Sequence, residues 1–206
     1  ALRQYAAKVA TPHPLRGGSP LGEPKSFGGV VAIVEESAAG SRQSNFLKFL
    51  RARLAAALPT PPFDAVYTSP LSRAAKLAAF CGYPDAERDE RLKEMNMGHW
   101  EMQRFDDIID ERLQLWYDDF LNQPTTGGES FRDLYARVAA FLNELRKKDY
   151  RRVAVFAHGG VLICAQVYAG AIPLEDGFKH LTSYGGVVKI NIENHEVHIS
   201  VFHTAD

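Results

Sequence analysis

The chain has 206 residues, 46% of them hydrophobic and 24% charged, with a formal net charge of -1. That composition fits one globular domain with a sizeable core, and its near-neutral balance leaves no electrostatic footprint for nucleic acid or an anionic membrane surface. No purely aliphatic run exceeds the five residues of Val30-Val-Ala-Ile-Val34, which is far too short to span a bilayer and lacks the flanks of a secretory signal; two cysteines, Cys81 and Cys164, make no disulfide framework. A cytoplasmic setting is therefore expected, with no nucleic-acid or membrane partner; the oligomeric state stays open.

In chain order, residues 1 to about 45 carry breakers and little periodicity, as in Pro12-His-Pro-Leu-Arg-Gly-Gly-Ser-Pro-Leu-Gly-Glu-Pro. A loop this long counts against native structure, so residues 1–48 are read as an anomalous segment and 49–206 as the domain. This segment is expected to pack poorly or to fail to supply a central strand; Val30 to Val34 has a strand's pattern but runs into Glu35-Glu36. Ala65-Val-Tyr-Thr reads as a short buried strand. Pro70 then suits a first helical turn with Ser69 as its cap, the helix running to Gly82. Ile108, Ile109, Leu113, Trp116, Tyr117 and Phe120 predict a helix over about 105–121. Ser130 and Asp133 form a capping box ahead of a helix carrying Leu134, Val138, Phe141 and Leu145. The basic cluster Arg146-Lys-Lys with Arg151-Arg152 reads as a solvated helix end. Arg152-Val-Ala-Val-Phe-Ala157 is a buried strand leading into a helix over about 160–169, and two alternating runs around Glu193-Asn-His195 predict a terminal hairpin. Helices alternating with single strands imply an α/β fold, a three-layer helix–sheet–helix sandwich with a mainly parallel central sheet.

Chemistry concentrates at strand ends. His158 follows the strand ending at Ala157, and Gly159-Gly160 opens the next helix, where small residues admit a ligand and free N–H groups attract an anion. A core histidine is the plainer alternative. Tyr67-Thr-Ser-Pro-Leu-Ser-Arg73-Ala repeats the strand-to-helix arrangement with a guanidinium suited to phosphate. Between them lies Leu92-Lys-Glu94-Met-Asn-Met-Gly98-His-Trp100-Glu101. Met95, Met97 and Trp100 would give Glu94 apolar surroundings, which raise a carboxyl pKa; a surface glutamate in the charged stretch Arg88-Asp-Glu-Arg91 is the plainer alternative. Gly127-Gly-Glu-Ser130 places Glu129 either at the pocket or merely at a helix start. The histidines 99, 180, 195, 198 and 203 lack metal-ligand spacing, with His198 and His203 assigned to the hairpin; no metal is expected.

In this order the segments resemble the histidine phosphatase superfamily, in its small-phosphatase branch, over about residues 49 to 192. The resemblance implies cofactor-independent hydrolysis of a small phosphomonoester through a phosphohistidine. It makes His158 a catalytic residue that also contacts the phosphoryl group, Arg73 a phosphate-binding residue, and Glu94 the proton donor to the leaving oxygen. The Glu94 segment and Gly-Gly-Glu-Ser look most like α-ribazole phosphatase, which acts late in cobalamin synthesis.

The family opens with a strand ending in Arg-His-Gly or Arg-His-Thr, whose histidine takes the phosphoryl group. No Arg-His pair occurs in the 206 residues. His13 lies between two prolines, a poor strand end, and carboxylates after Val34 would repel phosphate. Back-translation of Tyr5 to Pro14 one base later permits Met, Leu, Arg, His and Thr in that order, consistent with a shifted frame restored before Phe49. Two rival readings follow. The chain is a pseudophosphatase that binds phosphorylated ligands through Arg73 and His158, or a scaffold whose N-terminal tail binds a partner.

Overall fold

The computed structural model describes residues 30–35, 63–181, 186–193 and 196–202. Strand β1 is Val30–Glu35 and β2 is Ala65–Thr68, followed by helix α1, Ser72–Phe80. A two-residue β3, Glu87–Arg88, leads into a loop region with three short 3-10 turns and a short helix α2, Arg112–Asp118. Helix α3 (Phe131–Leu145), β4 (Arg152–Ala157) and α4 (Gly159–Tyr168) follow, then a 3-10 segment over Leu174–His180. The antiparallel hairpin of β5 (Val187–Glu193) and β6 (Glu196–Phe202) ends the described fold, as the alternation predicts.

One six-stranded sheet runs in the order β3-β2-β4-β1-β5-β6. The pairs β3–β2, β2–β4 and β4–β1 are parallel, whereas β1–β5 and β5–β6 are antiparallel. β4 is buried along Val153–Ala157 because helices cover both faces. Val153, Val155 and Ala157 join the core beneath α3 and α4, while Ala154 and Phe156 pack with Leu77 and Ala78 of α1. The period-2 alternation of a strand thus feeds two cores, one on each side. This is the expected mainly parallel helix–sheet–helix sandwich.

Three expectations need correction. β1 lies between β4 and β5, so Val30–Glu35 does supply an inner strand; five apolar residues in register with β4 suffice to recruit it. The remainder of residues 1–48, His13 included, lies outside the described residues, as do His195 and His203. The helix after β2 starts at Ser72 with Leu71 in the capping position and no side-chain cap; Ser69 Oγ accepts from Leu71 N–H at 3.2 Å but serves another partner, described below. The helix read over 105–121 is broken. Phe105–Asp107 is a 3-10 turn and α2 begins only at Arg112. Asp110 causes the break, because its carboxylate accepts from Arg112 N–H at 2.9 Å and from Trp100 Nε1 at 2.7 Å, competing with the helical ladder. Ile108 turns inward and Ile109 is fully exposed.

α3 starts as predicted. Ser130 Oγ accepts from Asp133 N–H at 3.2 Å and Asp133 Oδ2 accepts from Ser130 N–H at 2.9 Å. Ahead of it, the 125–129 loop closes against the 96–101 loop. His99 N–H donates to Thr126 O, Glu129 N–H to Asn96 O, and Gly98, at φ +55°, sits so close that a Cβ would meet Thr126 O at 2.2 Å.

Candidate active site

β4 ends at Ala157 and α4 begins at Gly159, so His158 is held at the strand's carboxyl edge in extended conformation and is 1% exposed. Its carbonyl accepts the first helical hydrogen bond, from Leu162 N–H at 2.9 Å. The two ring nitrogens face different groups. Arg73 Nε donates to Nδ1 at 3.2 Å, and Nε2 lies 2.8 Å from Ser69 Oγ. A guanidinium only donates, so Nδ1 must present its lone pair; the neutral ring then carries its proton on Nε2 and donates it to Ser69. Burial, with the nearby Arg73 and Arg137 cations, lowers the His158 pKa from 6.5 to about 3, keeping the ring neutral in the free protein.

Arg73 stands in the first turn of α1, one residue after its start. Among the described residues its Nε is committed to His158 and nothing accepts from its terminal guanidinium nitrogens. Glu94 arrives from the loop after the turn at Glu90–Leu92. Its Oε1 accepts from Met95 N–H at 2.9 Å and from Gly160 N–H at 3.2 Å. The amino terminus of α4, expected to await an external anion, therefore already holds the chain's own carboxylate. Gly160 makes this possible, since a Cβ there would meet Glu94 Oε1 at 2.5 Å and Leu134 Cδ2 at 2.9 Å. Burial pushes the Glu94 pKa above the usual carboxylate range, opposed by the two backbone donors and by the Arg73 and Arg137 charges. The structure thus brings His158, Arg73 and Glu94 to one corner at the carboxyl ends of β2 and β4.

Glu129 does not join that corner as a ligand. It accepts from Asn96 N–H at 2.8 Å through Oε1 and forms a two-point ion pair with Arg137, at 2.6 and 3.1 Å. Two residues escaped sequence reasoning. Ser69, a cap by sequence pattern, instead accepts the Nε2 proton of His158. Arg137 was not singled out, although a cation three residues after Leu134 and one before Val138 sits on the apolar side of α3, a position where arginine needs partners. His99 and His180 are exposed, and among the described residues no group of three His, Cys, Asp or Glu side chains is placed to hold a metal.

The family model for the histidine phosphatase superfamily (branch 1) matches residues 51–204. The chain belongs to that superfamily. It is 28% identical over 154 residues to a Hydrogenobacter thermophilus protein provisionally named phosphoserine phosphatase 2, covering 71% of this chain and 76% of the relative. The adenosylcobalamin/α-ribazole phosphatase of Escherichia coli is 32% identical over 107 residues, which is 48% of this chain and about half, 53%, of that protein. In three dimensions the α-ribazole phosphatase from Shigella flexneri superimposes with a TM-score of 0.72 at 21% identity, over 85% of this chain and 96% of that one, which confirms the fold. The family match begins after β1, as does the clear motif pattern of the sequence. No helix among the described residues is long and apolar enough to cross a membrane.

Proposed function

We propose that the chain carries the framework of a cofactor-independent phosphomonoester hydrolase, and that in its present sequence it holds a phosphoryl group far better than it turns one over. The observation that carries this reading is the Arg73 Nε to His158 Nδ1 hydrogen bond at the strand ends. It places a guanidinium whose terminal donors meet no acceptor among the described residues beside a buried imidazole, and a phosphate dianion arriving there would draw both onto its oxygens. The dianion would also raise the His158 pKa and so favour a cationic ring.

In the full reaction a histidine nitrogen attacks phosphorus as the bond from phosphorus to the leaving oxygen breaks. Glu94, whose hold on its proton burial strengthens, gives that oxygen its proton. Water then attacks the phosphohistidine, Glu94 takes back a proton, and inorganic phosphate leaves. The nucleophile must come from the strand beside β4, which in this chain ends in register with Ala157 at Glu35. Glutamate, the residue type at that position, forms no phosphohistidine. Turnover is therefore slow, and binding persists through Arg73 and His158.

The substrate we favour is α-ribazole phosphate, supported by the relative in Escherichia coli; the Hydrogenobacter thermophilus relative makes phosphoserine the competitor. The test is direct. The unmodified chain should bind vanadate and hydrolyse an aryl phosphate only slowly. Replacing residues 1–48 with an opening strand ending in Arg-His-Thr should raise turnover on the order of a thousandfold or more and yield an acid-labile phosphoenzyme. α-Ribazole phosphate and phosphoserine are then compared by kcat/KM. Fast turnover by the unmodified chain, with phosphohistidine mapped to His13, would overturn the reading.

A further inference from the structure

We infer that Arg137, locked by Glu129, is the positioning residue that sets Glu94 against the amino terminus of α4, acting through the backbone of residues 91 to 94 and not by touching substrate. The inference rests on the reading of Glu94 as proton donor, and it assigns to α3 a task beyond filling the core.

A guanidinium has five N–H donors, and Arg137 spends all of them on the protein. Nη1 donates to the carbonyls of Arg91 and Lys93, each at 2.7 Å, and Nη2 donates to the Glu94 carbonyl at 3.0 Å. The remaining two bonds, from Nη2 and Nε, hold the Glu129 carboxylate. Three carbonyls from one short segment, all pointing to a single planar group, define both position and rotation of the strand of chain that carries Glu94. Glu129 prevents the fork from turning and, through Asn96 N–H, ties down the other side of the same loop. Glu94 is therefore gripped on its carbonyl by α3 and on its carboxylate by Gly160 of α4. Helices α3 and α4 pack directly on one another, so the grip from both sides is rigid. Lysine could not replace this arrangement, because three donors on one nitrogen cannot reach three carbonyls and a carboxylate at once.

The groups facing the Glu94 carboxyl, among described residues, are Met95 N–H, Gly160 N–H and the Arg73 and Arg137 cations. Removing only the charge of Arg137 would raise the Glu94 pKa further. Releasing the loop would do the reverse, since the carboxyl would swing into water and return towards its ordinary value. The sign of the change separates the two roles.

The experiment is carbon-13 NMR titration of the glutamate side-chain carboxyls in the full chain, with Glu94 assigned by Glu94→Gln. In Arg137→Gln and in Arg137→Lys the Glu94 pKa should shift downward, and the Gly160 amide should lose its low-field shift while core amides of β4 stay in place. An upward shift in Arg137→Gln with Arg137→Lys matching the wild type would overturn the inference in favour of a charge effect. No change in either variant would also overturn it. Where Arg137→Gln does not fold, Glu129→Gln serves instead. It keeps the oxygen facing Asn96 but weakens the lock, and it should shift Glu94 the same way by a smaller amount; an unmoved Glu94 in that variant counts against the clamp. Vanadate binding by the wild type, measured separately, reports on the proposed phosphate site and is not needed for this outcome.

Discussion

Strands β4 and β1 run side by side, parallel and in register for six residues, yet they end in opposite chemistry. β4 delivers Ala157 and then His158 into a polar corner with Ser69 and Arg73. Its neighbour delivers Glu35 at the same level. Both are recruited by runs of apolar residues, which decide that a strand enters the sheet interior and say nothing of the group at its end. On the proposed reading, a superfamily fold keeps its architecture while the residue at one strand terminus changes the chemistry on offer. The exchange of residues 1–48 for an Arg-His-Thr strand, with its expected gain of a thousandfold or more, attacks this contrast most directly. A chain that folds with the new strand and stays inactive would show that β1 is not the position that matters.

Acid should break the β4 side of the comparison next. His158 has a folded pKa near 3, below its ordinary 6.5, so the unfolded chain binds the proton that the folded one refuses. Its stabilising contribution is present above pH 6.5 and is lost as pH falls from there towards 3. Each unit is worth roughly 1.4 kcal/mol, so between pH 7 and pH 5 this group should cost about 2 kcal/mol. Glu94 has the opposite sign. With its folded pKa raised, it favours the folded state below its ordinary 4.5 and loses that contribution as pH climbs through the folded value. Urea unfolding of the wild type and His158→Gln at both pH values isolates the histidine. A wild-type loss no larger than that of the variant would show that the imidazole is not held neutral.

Gly160 links the two arms of the site and should show the next largest effect. A methyl group there meets Glu94 Oε1 at 2.5 Å and Leu134 Cδ2 at 2.9 Å. Gly160→Ala should therefore destabilise the fold by about 1–3 kcal/mol, in spite of alanine's better helix propensity. It should also expel the Glu94 carboxylate from α4. Equilibrium unfolding checks the first point, and the carboxyl carbon-13 shift of Glu94 checks the second; a stabilised variant would mean the close approach is not real.

How far the site was legible follows from whether its determinants are local. The β4 strand, the glycine start of α4 and the capping box of α3 are written in consecutive residues, and they stand where the pattern puts them. The hairpin strands alternate visibly and pair as expected. Legibility fails where a side chain's partner is distant in sequence. Asp110 ends a promising apolar periodicity by binding Trp100, ten residues away. Arg137 reaches back more than forty residues to three carbonyls, a relation no spacing rule encodes. Val30–Glu35 was recognisable as a strand, but its neighbours in the sheet come from residues 152–157 and 187–191, so its inner place was not.

The smallest effect expected is that of Ser69, whose role the sequence disguised as helix capping. Its hydroxyl oxygen accepts from Leu71 N–H and from the Nε2 proton of His158, and the residue is fully buried. Ser69→Ala leaves α1 starting at the same place, because Leu71 occupies the capping position without a side-chain bond. It leaves a buried imidazole N–H without its acceptor, at a cost of about 1–2 kcal/mol. The Arg73 bond to Nδ1 still demands a lone pair there, so the ring cannot relieve the loss by changing tautomer. Nitrogen-15 chemical shifts of the His158 ring should therefore keep Nε2 protonated in Ser69→Ala, with vanadate affinity altered only a few-fold. A switch of the proton to Nδ1 in that variant would show that Ser69, and not Arg73, governs the tautomer.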